Sequence, residues 1–233
     1  MTKRKNAFTL AEMLITLFVI GIVAAMTLPT MITKYQKKQT VSTLQKRIAT
    51  LQQAMKLSEA ENGEANTWFL PNNTHAENTK YFAEKYLFPY IKTINTSVPA
   101  SDVCWSNDTK TIGGQSAYLF TSVKYPVSGC ATLVDGSSLY FWASDPTVEY
   151  HTKMYTDING HLKGPNMLGK DIFELTFNFN SGKFLYLNKD RVELLSSTTE
   201  TGCNKENTSP YAGALCSSVI INDGWQIKED YPW

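Results

Sequence analysis

One apolar segment near the N-terminus constrains this chain more than any other feature of the sequence. Phe8–Leu28 carries a single charged residue, Glu12, whereas the residues beyond the segment have the composition of a soluble protein. Its length matches the roughly 20 apolar residues that a helix needs to cross a bilayer. A short basic leader precedes it, with Lys3, Arg4 and Lys5. The chain is therefore expected to join a membrane helix to a globular domain.

Three kinds of segment fit this pattern: a plain membrane anchor, a secretory signal peptide cut after Ala25, and a prepilin-type signal cut ahead of the apolar run. Glu12 favours the third. A carboxylate near the bilayer centre costs about 2.5–3.5 kcal/mol, and an anchor or a signal peptide gains nothing from it. Cleavage after Ala7 would give Glu12 a positive partner, the new α-amine of Phe8, about one helical turn away or on a neighbouring subunit.

The sequence KRKNA-FTLAEML at residues 3–14 resembles the cleavage and methylation motif of type IV pilins and type II secretion pseudopilins. The resemblance implies that prepilin peptidase cuts between Ala7 and Phe8 and methylates Phe8. It also implies that Glu12 is the family's conserved glutamate, which acts in filament assembly. Most members carry Gly where this chain has Ala7. Gly21 and Pro29 stand where many pilins have a helix-loosening Gly and Pro.

The same resemblance implies a domain organisation and a function. Residues 1–7 would be the leader, 8–29 the transmembrane and filament-core helix, 30–62 its continuation, and 63–233 the exported globular domain. The chain would be a structural subunit of a type II secretion pseudopilus or a type IV pilus. Alternatives are a minor or tip pilin that acts as an adhesin or in DNA uptake, and a secreted enzyme released after Ala25.

The expected partners follow from this function. They are other pilins or pseudopilins in a homo- or hetero-oligomeric filament, prepilin peptidase, an inner-membrane assembly platform with its ATPase, and membrane lipid before assembly. A formal net charge of +1 gives no reason to expect a nucleic-acid partner. Basic residues flank the apolar segment on both sides, so their count does not settle its orientation.

The segment after the apolar run predicts a continuation of the same helix. Residues 31–62 contain neither Pro nor Gly, and apolar residues recur at steps of three and four. They are Val41, Leu44, Ile48, Leu51 and Met55. Asn62-Gly63 is a plausible stop, so a continuous helix from Phe8 would span about 80 Å. Its outer half is expected to lie against the globular domain, and its inner half to remain free for neighbouring subunits.

The remainder of the chain predicts an α+β fold of pilin type, with the helical spine packed on an antiparallel sheet. Ala76–Tyr90 is a second helical candidate, and Tyr211–Ile221 a short third one. Period-two patterns indicate strands, with Asp135-Gly136 as a hairpin signal between two of them. The predicted strands are Ser116–Lys124, Ala131–Asp135, Ser138–Ala143, Glu149–Asp157, Asp171–Asn178 and Lys183–Asn188.

Four cysteines, all beyond the apolar segment, indicate two disulfides in an exported domain and allow three pairings. Cys104–Cys130 and Cys203–Cys216 are favoured because they close the shortest loops. The second pair resembles the C-terminal disulfide loop of many type IV pilins. An oxidised domain places the C-terminal part on the periplasmic or extracellular side of a bacterial cytoplasmic membrane, with the chain crossing it once.

Chemistry-bearing motifs are scarce, and no catalytic residue, metal or cofactor is expected. His75, His151 and His161 lack the spacing of metal ligands, and no nucleophile elbow or phosphate-binding glycine loop occurs. Asp157, Asn159 and Asp171 could supply oxygen ligands to calcium, but Lys163 and Lys170 lie in the same loop and would repel a cation. A structured turn is the favoured interpretation of this loop.

Overall fold

A computed structural model describes residues 9–71, 74–117, 127–143, 151–185, 190–198 and 201–233. The chain divides into two compact units, one ending at Gln39 and the other comprising Thr40–Trp233. The larger unit contains an antiparallel sheet on which the C-terminal part of the first helix packs. The predicted α+β, pilin-like architecture is therefore confirmed.

The first helix, α1, runs from Leu10 to Asn62, as the sequence predicts. Gly63 ends it with a φ of 83°, a left-handed conformation that glycine adopts without the steric penalty of a side chain. Pro29 lies within the helix although it has no N–H to donate to the carbonyl of Ala25. The Thr33 hydroxyl donates to the carbonyl of Pro29 itself, at 2.9 Å.

The predicted apolar stripe of α1 is buried in the larger unit. All five of its residues lie in the main hydrophobic core, where Leu44, Leu51 and Met55 have no exposed surface. Fully burying one such side chain stabilises a fold by about 1.5–3 kcal/mol. This stripe therefore holds the C-terminal part of α1 on the sheet.

The sheet is a six-stranded antiparallel meander in which every strand pairs with its neighbours in the chain. Only short connections are needed in such an order. The strands are β1 Thr93–Ser97, β2 Gly129–Leu133, β3 Ser138–Ala143, β4 His151–Asp157, β5 Ile172–Asn178 and β6 Lys183–Leu185.

The predicted strands agree with the observed ones to different degrees. β3 matches its prediction, and β4 and β5 match theirs closely over the described residues. β2 ends at Leu133 rather than Asp135, because Asp135 and Gly136 form the turn into β3. The predicted strand Ser116–Lys124 lies mostly outside the described residues, and Ser116 makes an isolated bridge to Lys110.

A strand and an α-helix in the described part of the larger unit were not predicted, and two helices have revised bounds. The unpredicted ones are the polar edge strand β1 and the helix α3, Arg191–Ser196. The second helical candidate consists of α2, His75–Phe82, followed by a π-helical turn and a 3₁₀ turn to Tyr90. The third, α4, is Cys216–Asn222, because its predicted first turn is occupied by non-helical turns.

The sheet is covered on both faces. Side chains alternate along a strand, so Leu139 and Phe141 point toward α1, whereas Tyr140 belongs to a second core on the opposite face. The second core contains Tyr155 and the disulfide Cys104–Cys130. Burial on both faces explains why β2 has no exposed residue and does not show a simple alternation of polar and apolar residues.

A glutamine of α1 bonds to the backbone beside strand β6. The Gln52 side-chain amide donates to the Gly182 carbonyl at 3.0 Å, and its Oε1 accepts from the Phe184 N–H at 3.3 Å. Gln52 thus makes both types of hydrogen bond that a neighbouring strand would make. These bonds add a polar attachment to the apolar packing of α1.

Candidate functional site

The N-terminus of α1 is closed by a reciprocal pair of residues, Thr9 and Glu12. The Thr9 hydroxyl accepts from the Glu12 N–H at 3.2 Å, while Glu12 Oε2 accepts from the Thr9 N–H at 2.8 Å. The Thr9 hydroxyl also donates to this oxygen at 2.9 Å. This is a capping box, which satisfies two N–H groups that a helix start leaves without partners.

The capping box gives Glu12 a local function that the sequence interpretation missed. The Thr-x-x-Glu spacing ahead of an apolar run is the signal that could have revealed it. All the carboxylate bonds formed by the described residues go to Oε2, so Oε1 keeps its capacity to accept. Ala7 and Phe8 lie outside the described residues, so the pairing of Glu12 with the Phe8 amine stays a prediction.

The part of α1 that follows this cap exposes its apolar side chains. Phe18 is 68% exposed and Met26 is 74% exposed, and no residue in the most apolar 18-residue window is buried. By length and composition this helix could cross a membrane. Such a surface is stable in lipid or against other apolar helices rather than in water. Together with the leader, it indicates membrane anchoring.

Gly21 and Pro29 both lie within the continuous part of this helix. A Cβ at Gly21 would meet no atom within 4 Å, so its own chain does not require glycine there. Near Pro29, the Thr27 hydroxyl donates to the Val23 carbonyl at 2.9 Å, as Thr33 does to Pro29. Such bonds to carbonyls of the preceding turn accompany bending of helices. A helix-loosening role for Gly21 and Pro29 stays a prediction.

The two disulfides join the pairs of cysteines that the sequence favours, and both are buried in the larger unit. Cys104–Cys130 ties the turn after β1 to strand β2. Cys203–Cys216 ties the segment after α3 to the start of α4. In the chain-entropy description, closing a loop of about this size stabilises a domain by roughly 3 kcal/mol.

The loop between β4 and β5 is held by two buried carboxylates. Asp157 Oδ1 accepts from the Gly160 N–H at 2.9 Å, and the Asp171 oxygens accept from the N–H groups of Asn166 and Met167. Burial and the nearby Asp171 charge raise the pKa of Asp157 to about 8. Burial also raises the pKa of Asp171. The hydrogen bonds fit the favoured interpretation, a structured turn.

A calcium site in this loop finds no support in the geometry. The carboxylate oxygens of this loop accept hydrogen bonds from backbone N–H groups. A calcium ion would instead require these oxygens to face the ion. Across the described ranges, no group of three or more His, Cys, Asp or Glu side chains could hold a metal ion.

Two of the histidines, His161 and His75, contact opposite ends of strand β3. His161 contacts a potential nucleophile, since its Nδ1 lies 2.8 Å from the Ser138 hydroxyl. Ser138, however, has no exposed surface and also accepts from the His161 N–H at 3.2 Å. The pair therefore attaches the loop to the start of β3, and a substrate cannot reach the hydroxyl. His75 Nδ1 lies 3.4 Å from the Ala143 carbonyl.

Two family profiles match the chain, and the boundary between them falls at the end of the apolar N-terminal segment. Residues 30–233 match the profile of a family of unknown function, DUF6613. Residues 2–28 match the prokaryotic N-terminal methylation motif, which is the signature of type IV pilins and pseudopilins. No curated protein and no solved structure matches the chain.

Proposed function

Because the chain belongs to DUF6613, a family of unknown function, and begins with a pilin methylation motif, we propose that it is a filament subunit. The filament is a type II secretion pseudopilus or a type IV pilus, assembled through the N-terminal helix. One observation carries the proposal: the motif includes the start of an apolar helix whose most apolar window has no residue buried in its own chain.

Processing is the first step of the proposed function. Prepilin peptidase cuts between Ala7 and Phe8 on the cytoplasmic side and methylates the new N-terminus. The apolar helix remains with the mature chain, unlike that of a secretory precursor cut after Ala25. The C-terminal domain lies on the opposite side of the cytoplasmic membrane, where its cysteines can oxidise.

Assembly then moves the apolar helix from lipid to a bundle of like helices. Lipid tails are as apolar as the side chains, so the transfer gains little from the hydrophobic effect. Packing and polar pairing must supply the stabilisation. Glu12 offers such a pairing, because Oε1 can accept from the Phe8 amine of an adjacent subunit while Oε2 remains bonded to Thr9.

The energy for assembly comes from partners. An inner-membrane platform and its ATPase would draw subunits from the membrane into the growing filament, joined by copies of this chain or by other pilins. The subunit itself contributes the membrane helix, the polar cap and a rigid exported domain. This role requires no catalytic residue in the chain.

The mass of the mature N-terminus tests the proposal directly. The protein extracted from membranes is expected to begin with methylated Phe8, and part of it to appear in the filament fraction sheared from cells. A mature chain that begins at Met26 would indicate a secreted protein and contradict the proposal. Complete absence of the chain from sheared filaments would contradict its role as a subunit.

A further inference from the structure

A second stripe of α1, beside the buried one, faces solvent in the larger unit. Its residues recur at steps of four, three, four and four, so they lie on one face of the helix. They are Lys46, Thr50, Gln53, Leu57 and Glu61. Leu57 is 48% exposed, although the apolar residues of the neighbouring stripe are buried.

The first four residues of this stripe line one wall of a groove, and Glu61 follows beyond it. The opposite wall consists of the segment leading into β1 and the end of β2, and it includes Tyr90, Ile91 and Val134. Val134 is 60% exposed, so both walls offer apolar surface to a partner. An apolar groove with a polar rim is typical of a protein contact.

Charges of opposite sign flank the groove. At one end, Lys46 and Lys92 form no ion pair with any described residue, whereas the adjacent Arg47 is bonded to Asp135. Glu61 lies one turn beyond Leu57, outside the lining of the groove, and accepts at 2.8 Å from the hydroxyl of Tyr90, which lines it; no described cation bonds to Glu61. The surface around the groove is therefore basic toward the N-terminal side of α1 and acidic toward its C-terminal side.

We infer that this groove is a contact between copies of this chain, arranged parallel and staggered, so that Glu61 of one copy meets Lys46 and Lys92 of the next. The inference rests on the proposed function, because copies anchored in one membrane share one orientation. Parallel copies in register would place Lys46 beside Lys46 and Glu61 beside Glu61. If one copy is shifted along the other by 15 residues, about 22 Å of helix, Glu61 of one copy lies beside Lys46 of the next. The repulsion between like charges is then replaced by attraction.

A staggered contact of this kind uses different surfaces on the two copies. Each copy then offers a free acidic end to one neighbour and a free basic end to another. Contacts between unlike surfaces generate open helical assemblies when their rotation does not close a ring. The charge pattern thus suits a filament better than a closed dimer.

Cysteine cross-linking in sheared filaments tests the stagger. Cells co-expressing Lys46→Cys and Glu61→Cys chains are treated with a short thiol-reactive cross-linker, and the mixed dimer is expected. Filaments containing Lys46→Cys alone, Glu61→Cys alone or Gln53→Cys alone should give no dimer. Dimers from either of the first two variants alone would indicate an in-register contact and overturn the inference. A dimer from Gln53→Cys but from neither of the other two would indicate antiparallel copies and would also overturn the inference.

Charge reversal supplies an independent measurement. Lys46→Glu is expected to lower incorporation into filaments about fivefold, since it replaces an attraction by a repulsion. The double variant Lys46→Glu with Glu61→Lys should restore incorporation, while Lys163→Glu, an exposed lysine outside the groove, should leave it unchanged. No rescue by the double variant would overturn the inference. Filaments that form without the mixed cross-link contradict the groove contact alone, whereas absence of wild-type filaments contradicts the proposed function as well.

Discussion

Arg47, on the buried side of α1, donates a hydrogen bond of 2.5 Å to Asp135 in the turn between β2 and β3. The arginine is 2% exposed, while about a third of the aspartate side chain remains open to solvent. Asp135 also accepts from the N–H and the hydroxyl of Ser137, which shape the turn. The pair therefore joins the helix to the tip of a hairpin.

Removing Asp135 should destabilise the fold more than removing Arg47. Asp135→Ala leaves a buried cation without its anion, so the free energy of unfolding should fall by about 2–3 kcal/mol. Arg47→Met leaves an aspartate that water can solvate, and the loss should be about 1 kcal/mol. Chemical denaturation of the detergent-solubilised chain measures both. Equal losses of unfolding free energy in the two variants would show that the burial of Arg47 does not determine the destabilisation.

Two substitutions at Glu12 separate capping from charge pairing. Glu12→Gln keeps an oxygen acceptor for the capping box but removes the charge, whereas Glu12→Ala removes both. If the carboxylate pairs with the Phe8 amine of a neighbour, both variants should enter sheared filaments several-fold less than the wild type, because one buried charge loses its partner.

Thr9→Val serves as the control, since it removes the hydroxyl of the cap and keeps the carboxylate. Its incorporation should stay near that of the wild type. Normal assembly of Glu12→Gln together with a defect in Glu12→Ala would assign Glu12 to helix capping alone. Membrane insertion should be unchanged in all three variants, because the apolar segment is retained.

The two disulfides should be present in the mature protein from cells. Peptide mapping without reduction is expected to recover Cys104 with Cys130 and Cys203 with Cys216. Replacing Cys203 and Cys216 together by serine should lower the free energy of unfolding by roughly 3 kcal/mol. Four free thiols in the mature chain would place the domain in a reducing compartment and reverse the proposed topology.

Asp157 should make the folded domain less stable as the pH rises from about 4 to about 8. Its pKa is raised to about 8 in the folded chain, so over this range the unfolded chain loses a proton that the folded chain keeps. The loss of stability is at most about 1.4 kcal/mol per pH unit for one group. Below this range both states are protonated, and above it both are ionised.

Asp157→Asn removes the titrating group and keeps an oxygen that can accept from the Gly160 N–H. Melting temperatures at pH 5 and pH 8 should therefore differ less in Asp157→Asn than in the wild type. Thermal unfolding followed by circular dichroism provides the comparison. An unchanged difference between the two pH values would show that Asp157 does not titrate in this range.

Periodicity accounts for what the sequence could predict. The steps of three and four in α1 reflect the single face that it buries. The alternation along β5 reflects its one apolar face, and the apolar run of β3 reflects a strand buried on both faces. Strand β1 escaped prediction because its sequence, Thr-Ile-Asn-Thr-Ser, is polar and largely exposed. Its structure comes from backbone pairing with β2 at the edge of the sheet, a contact that leaves no pattern in side chains.

Polar contacts between distant segments could not be predicted for a different reason. Arg47 lies 88 positions from Asp135, and nothing near either residue identifies the other. The same holds for the groove, whose walls come from α1 and from residues 90–92 and 133–135. The capping box of Thr9 and Glu12 differs, because its spacing is local and could have been recognised.

The bonds that Gln52 makes with Gly182 and Phe184 affect how the subunit can aggregate. An unprotected sheet edge presents unpaired N–H and C=O groups to which strands from other molecules can bond. Gln52 occupies the Phe184 N–H and the Gly182 carbonyl, backbone groups through which an incoming strand would pair beside β6. Helix α1 thereby keeps these two backbone groups from pairing with a strand of another molecule.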